Sequence, residues 1–144
     1  MDLALAEAKK AEASGEVPVG AVVVADGIVI GRSFNQPISL NDATAHAEIG
    51  ALREACLKQG NYRLSNATMY STVEPCMMCA GAMIHARLTR LVFGTPDAKV
   101  GSAGSIYNVL TDPRLNHRVE VVSGIREDEC AGLLRDFFAR RRGA

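Results

Sequence analysis

The spacing of apolar and polar positions changes several times along the chain, and each change marks an expected element. Residues 2–14 alternate Ala and Leu with charge at helical spacing and stop at Ser14-Gly15, a C-terminal signal. VGAVVVADGIVIG, residues 19–31, reads as two strands around an Asp26-Gly27 turn, a dipeptide suited to a tight hairpin. SFNQPISLNDA, residues 33–43, contains Pro37 and short polar side chains and reads as loop. From Ala45 to Gln59 the spacing is helical again, with Gly60 as the stop. Ile49, Leu52 and Cys56 share one face, and His46 extends that stripe by a turn.

ATMYSTV (67–73) has strand character and runs into Pro75 and a helix expected over 76–86. RLVFGT (90–95) and HRVEVVSG (117–124) are further strands, with the Gly-rich loop AKVGSAGS (98–105) between them. The last helix starts near Glu127 and places Cys130, Leu133, Leu134, Phe137 and Phe138 on one stripe. Both phenylalanines fit core packing, although one of them could instead meet a nucleic acid near the basic tail. Helices alternating with apolar strands predict an α/β fold, a three-layer α/β/α sandwich on a mixed sheet. Residues 1–144 contain no linker or internal repeat and read as a single domain.

Composition narrows the setting. Four cysteines among 144 residues are too sparse for a disulfide scaffold and point to a reduced, cytoplasmic environment. MDLALAEAKKAEASGE carries charge throughout, unlike a signal peptide, and VGAVVVA is too short to cross a bilayer. A soluble protein with no membrane partner is expected. Net charge is zero and favours no partner, but residues 61–144 hold eleven Lys/Arg against eight Asp/Glu. Arg140, Arg141 and Arg142, with Arg135 shortly before them, are either a solvated helix end that suits the helix dipole or a patch that contacts phosphates.

TVEPCMMCAG, residues 72–81, carries the chemistry. Cys76-x-x-Cys79 could be a redox pair, half of a metal site or two packed thiols. The flanking Met77, Met78, Ala80 and Ala82 suit a buried helix, which disfavours an exposed attacking thiolate. ATAHAEI offers a third ligand in His46, followed by Glu48. Pro75 is suited to open a helix, placing Cys76 and Cys79 in its first turn, where the helix N-terminus favours thiolate. Zinc bound by two thiolates and one imidazole is chemically natural and leaves a fourth position for water, the mark of a catalytic site. In mid-helix His46 and Glu48 would diverge, so both can serve only if the metal lies off the end of their helix. The expectation is two helix N-termini facing one zinc, with Glu48 as the non-ligand carboxylate that moves protons. The alternative is a closed structural zinc with a fourth ligand from Cys56, Cys130 or His85. Those three, and His117, otherwise read as packing or interface residues. GSAGS (101–105) lacks the Lys-Ser/Thr ending of a phosphate-binding P-loop.

His-x-Glu with Pro-Cys-x-x-Cys is a signature of zinc nucleobase deaminases. EVPVGAVVV, FNQPI, DATAHAEI, NYRL, EPCMMCAGAMIHAR, FGTPDAKVGSAGS, NHRVEV and ECAGLLRDFFARRR extend the likeness over nearly the whole chain. The sequence thereby resembles the bacterial tRNA-specific adenosine deaminases. That resemblance implies a cytidine-deaminase-like fold with a five-stranded mixed sheet, a homodimer, and one Zn2+ per subunit. It implies hydrolytic conversion of adenosine to inosine at the wobble position of a tRNA anticodon, mainly in an arginine tRNA. Under it His46, Cys76 and Cys79 are metal ligands, Glu48 is the proton shuttle, and Asn35 hydrogen-bonds the target base. An Asx turn ahead of Pro37 is the other reading of Asn35. Lys99, Arg135, Arg140, Arg141 and Arg142 are candidates for RNA phosphates. A deaminase of a free base such as guanine or cytosine would use the same metal and glutamate behind a closed pocket. Asn41-Asp42-Ala43 departs from a family stretch that often holds His and Pro, so a less rigid loop is expected before His46.

Overall fold

The computed structural model describes residues 1–143. Its elements are α1 (Asp2–Ala13), β1 (Gly20–Ala25), β2 (Ile28–Phe34), α2 (Pro37–Leu40), α3 (Ala47–Gln59), β3 (Ala67–Val73), α4 (Met77–His85), β4 (Arg90–Thr95), β5 (Glu120–Val122) and α5 (Glu127–Gly143). The strands form one five-stranded mixed sheet in the order β2-β1-β3-β4-β5. β1 is antiparallel to β2 and β3, whereas β3, β4 and β5 are parallel. The hairpin turns at Asp26 (φ 51°) and Gly27 (φ 74°), the two positive φ values that a two-residue turn demands.

Alternation along the strands sorts the core into two layers. Ala21, Val23, Ile30, Met69, Leu91 and Phe93 pack with Ala51, Leu52, Ala55, Ala80 and Met83 of α3 and α4. Val22 and Val92 are buried on the other side, which α1 and α5 cover with Leu5, Ala8, Cys130 and Phe137. Two glycines let the helices come close. A Cβ on Gly20 would collide with the α1 backbone at Ala4, and one on Gly31 with the α3 backbone at Ala51.

One sheet edge gathers everything of chemical interest. Gly20 pairs with Phe34, and the Gly20 N–H donates to Thr72 Oγ1 at 3.1 Å, so the start of β1 and the ends of β2 and β3 coincide. Val73 pairs with Thr95, which brings the end of β4 to the same edge. The segments leaving there are Asn35 onward, Glu74-Pro75-Cys76 and Pro96 onward. Ligand sites of open α/β sheets form at such carboxyl ends of parallel strands.

Several expectations need correction. Residues 37–40 form a helical turn rather than loop. Pro37 occupies its first position, and the Glu16 carboxylate accepts from Ile38 N (3.2 Å), Ser39 N (2.7 Å) and Ser39 Oγ (2.6 Å). The last strand shrinks to 120–122, because Val119 N donates to Leu110 O and the His117 ring engages Leu88 O at 2.7 Å. Phe137 is core, but Phe138 is exposed and meets Phe137 edge to face. The Asn41–Ala43 stretch carries local hydrogen bonds of its own. Asp42 Oδ1 accepts from Thr44 N and Thr44 Oγ1, Asp42 N donates to Pro37 O, and Asn41 takes a left-handed conformation.

Glu16 is a shallow but dry carboxylate, 1% exposed. Burial pushes its pKa up, yet the hydrogen bonds from Ser39 and Ile38 outweigh burial and hold it below its ordinary 4.5. A depressed folded-state pKa gives stability that is fully present above about pH 4.5 and lost as pH falls through the folded value. Glu16→Ala should therefore cost about 1–3 kcal/mol at pH 7, measured by urea unfolding. The gap from the parent should narrow on acidification to about pH 3, through the titration range of a lowered carboxylate. A gap that stays constant with pH would refute the role.

Candidate metal centre

His46 is the N-cap of α3 (φ −76°, ψ 153°) and Cys76 is the N-cap of α4 (φ −74°, ψ 176°). Both were expected inside their helices; each lies one step outside, with Pro75 ahead of the cap. This shift removes the difficulty with His46 and Glu48. An N-cap side chain leaves the helical path, so His46 can face the same point as Glu48 in the first turn. Cys79, completely buried in the first turn of α4, completes the set. His46 Nδ1 lies 3.5 Å from Cys76 Sγ and 3.4 Å from Cys79 Sγ.

Those distances test whether a metal fits. Zinc–sulfur and zinc–nitrogen bonds of about 2.3 and 2.0 Å at a tetrahedral angle put nitrogen and sulfur about 3.5 Å apart. The donor types and both nitrogen–sulfur distances therefore fit a tetrahedral ion. Among the described residues, His46, Cys76 and Cys79 form the one such group, their ligand atoms all within 4.8 Å of one another. The proposed fourth ligands lie elsewhere. The Cys56 thiol points to Tyr62 O at 3.5 Å, Cys130 Sγ packs where a Gly94 Cβ would sit, and His85 is exposed. Met77 is 51% exposed, and Met78 is exposed too, so burial does not argue against a redox pair as expected. The imidazole beside both sulfurs does.

Charge at the centre is tightly coupled. A hydrogen bond from Cys79, aided by His46, brings the Cys76 thiol down to about 4 against the cost of burial. Its hydrogen bond to Cys76, together with burial and the charge of Glu48, drives Cys79 upward. The hydrogen bond to Cys76 raises His46, opposed by its burial. The thiols thus hold a single negative charge, with the Cys79 proton shared towards Cys76, until a cation displaces it. Glu48 is 4% exposed, and burial raises its carboxyl to about 7, with its own backbone N–H, His46 and a hydrogen bond from Cys79 pulling the other way. A buried carboxyl titrating near neutral pH beside a metal set is matched to taking and giving protons.

Around this centre, Asn35 directly follows β2 and is half-buried, its N–H donating to Val19 O at 3.0 Å. Gln36 N donates to Ala45 O at 2.9 Å, which ties Asn35 to the residue preceding His46. The Asx turn in this loop belongs to Asp42. The basic candidates divide. Arg140 pairs with Glu12 at 3.3 Å, while Arg141 donates to Gly15 O at 2.7 Å and lies 4.8 Å over the Phe137 ring. Both clamp α5 onto α1. Lys99, Arg135 and Arg142 are exposed, without a salt bridge among the described residues. Sequence reading missed Glu74, 3% exposed, whose carboxylate accepts from Asp97 N (3.0 Å), Ala103 N (2.9 Å), Ser105 N (3.0 Å) and Ser105 Oγ. Its only sequence signal is its place directly before Pro75.

A five-stranded mixed sheet with two helix N-termini meeting at a His/Cys/Cys group and a buried glutamate defines a cytidine-deaminase-like enzyme. The MafB19-like deaminase family matches residues 1–142. The chain is 51% identical to a tRNA-specific adenosine deaminase of Haemophilus influenzae, covering 99% of this chain and 83% of that one. Its likeness to the tRNA-specific adenosine deaminase of Bacillus subtilis is 48%, over 99% and 88%. The chain belongs to the bacterial tRNA-specific adenosine deaminase family. A structure from work on A-to-I editing by tRNA:A34 deaminases superposes with a TM-score of 0.90 at 48% identity, over 93% of this chain and 97% of that one. A guanine deaminase from Nitrosomonas europaea superposes at 0.77 with 26% identity, over 96% and 80%.

Elemental analysis of the purified protein should find about one equivalent of zinc per chain, the number a single three-ligand group can hold. His46→Ala, Cys76→Ser and Cys79→Ser should each lose it, while Glu48→Ala keeps it. Because binding displaces the Cys79 proton, apparent affinity should fall at least about tenfold per pH unit on acidification. An affinity independent of pH, or zinc retained by a Cys79 variant, would refute the assignment.

Proposed function

We propose that this chain is a zinc-dependent hydrolase that deaminates adenosine to inosine at the wobble position of a tRNA anticodon, mainly that of an arginine tRNA. The observation that carries it is the His46–Cys76–Cys79 cluster with buried Glu48 beside it, in a chain 51% identical to a tRNA-specific adenosine deaminase. Residues 1–144 act as one deaminase domain. Among the described residues no helix is long and apolar enough to cross a membrane; a cytoplasmic place of work rests on the sparse cysteines.

The three ligands would hold one Zn2+, whose Lewis acidity lets water ionise near neutral pH. Glu48 takes a proton from the attacking water and delivers it to N1 of the purine as the new C6–O bond forms. It then takes the proton of the new C6 hydroxyl and passes it to the C6 amine, so that C6=O forms as the C6–N bond breaks and ammonia leaves. One water is consumed for each ammonia released. Raised to about 7, the Glu48 carboxyl exchanges that proton in either direction at little cost. The Asn35 carboxamide offers a donor and an acceptor to the purine edge. The target base must leave its stack, which an anticodon loop allows at modest cost. Lys99, Arg135 and Arg142 meet phosphates outside the pocket. Arg140 and Arg141, drawn towards α1, contribute to the field there rather than as free contacts.

A second reading, deamination of a free base, is favoured by the superposition on a guanine deaminase. An inosine assay on an anticodon stem-loop, run beside free adenosine, guanine and cytosine, separates the two. The stem-loop should be the substrate, and turnover of a free base alone would overturn the first reading. In that assay Glu48→Ala should lower kcat about 10²–10⁴-fold with fold and zinc intact. KM should rise with added KCl, less steeply in a Lys99→Ala, Arg142→Ala double variant.

The chain also acts as a homodimer. Ile49, Leu52, Leu57, Tyr62 and Ala82 line an apolar hollow of about 630 Å³ across α3 and α4, with Leu57 84% exposed. A second copy of this face would cover it. Light scattering should report a dimer, and Leu57→Asp should yield monomer. A monomeric parent would refute this.

A further inference from the structure

Glu74 is a buried carboxylate without a salt bridge among the described residues. Its four donors all come from residues 97–105: Asp97 N, Ala103 N, Ser105 N and Ser105 Oγ. The adjoining residue strengthens the attachment, since Ser102 N donates to Pro75 O at 2.8 Å. Gly101 is part of the same fitting, because a Cβ there would strike the Glu74 carboxylate. Farther along, Ile106 N and Tyr107 N both donate to Gly101 O, at 2.9 and 3.1 Å. The carboxylate therefore governs the pose of a segment that presents Lys99 together with half-exposed Val100, Ile106 and Tyr107. That segment is fastened to the two residues directly before the ligand Cys76. Exposed apolar and aromatic side chains next to a cation suit unstacked bases and the phosphates between them.

We infer that Glu74 is a positioning residue, latching residues 97–105 beside the metal pocket so that Val100, Ile106 and Tyr107 form a rim for the nucleotides flanking the target base. Glu74 touches neither substrate nor metal. An amide in its place keeps one acceptor oxygen but turns hydrogens towards the donors on the other, so Glu74→Gln keeps the shape and opens one side of the latch. The inference rests on the reading of the site as an RNA deaminase, and the experiment separates the two.

Hydrogen exchange, which needs no activity, should show the amides of Asp97, Ala103 and Ser105 protected in the parent and, in Glu74→Gln, release either that of Asp97 or those of Ala103 and Ser105, with zinc still at one equivalent. Steady-state kinetics on an anticodon stem-loop should show KM raised about tenfold or more in Glu74→Gln and Gly101→Ala, with kcat within about threefold. Tyr107→Ala, which leaves the latch alone, should raise KM in the same sense. Should Glu74→Gln fail to fold, Gly101→Ala and Ser105→Ala read the same quantities. Protection unchanged in every folded latch variant overturns the latch, and an unchanged KM overturns the rim. Zinc loss in Glu74→Gln also overturns the inference, because the carboxylate then serves Cys76. A parent inactive on the stem-loop defeats the functional reading and with it the rim, while exchange still decides the latch.

Discussion

Two thiols and an imidazole must come within about 3.5 Å of one another for a single ion to bind all three, and this demand shapes the molecule. His46 and Cys76 are thirty residues apart, with a strand and a helix between them. They meet because both α3 and α4 begin at one sheet edge, and because each residue caps its helix rather than joining it. The caps matter electrically as well as sterically. Two helix N-termini aimed at one point favour thiolate and carboxylate there, which lowers the cost of collecting anionic groups under cover. Gly31 belongs to the same arrangement, since it lets α3 lie close enough on β2 to bring His46 to that edge.

Three of the four glutamates buried among the described residues show how one residue type takes opposite roles. Glu16 and Glu74 are as dry as Glu48, yet both sit below the ordinary carboxylate value and Glu48 well above it. The difference lies in what compensates the charge. Glu16 accepts from three donors and Glu74 from four, so each is content as an anion. Glu48 keeps company with the metal-ligand sulfurs and lacks such a cradle. Its charge is therefore expensive and its carboxyl is raised to about 7, a value suited to the proton transfer proposed for it.

How much of this could be read from sequence depended on the range of the cause. The Asp26-Gly27 hairpin and the Gly60 helix stop rest on local chemistry and were legible; the His46/Cys76/Cys79 group, thirty residues across, was legible because its two short motifs are informative together. Capping position was not: a helix that starts at 47 instead of 45 has the same apolar stripe, and only the backbone angles of His46 reveal the difference. The turn at 37–40 depends on Glu16, some twenty residues away, and the shortening of β5 depends on Leu88 and Leu110. Met77 and Met78 looked buried by type, yet they sit on the outward side of the first turn of α4. Glu74 stood in plain view before Pro75, but nothing local tells a carboxylate that gathers a distant loop from one that faces water.

Chemistry and recognition are thereby carried by different kinds of structure. The ligands and Glu48 sit at the starts of α3 and α4, braced by core residues such as Ala47, Ala51, Ala80 and Met83. Asn35 and the 97–107 segment ride on connections, and a buried glutamate pins each connection: Glu16 for the first, Glu74 for the second. A loop pinned at one carboxylate can change the side chains it shows without disturbing the sheet or the ion site. That division accounts for a fold shared at a TM-score of 0.77 with a guanine deaminase at only 26% identity. Under the proposed reading, attack on an amine-bearing ring carbon calls for the His46, Cys76, Cys79 and Glu48 group whatever the base is attached to. A free base and a base held in a nucleic acid differ in what surrounds the ring, so under that reading discrimination would fall to the pinned loops.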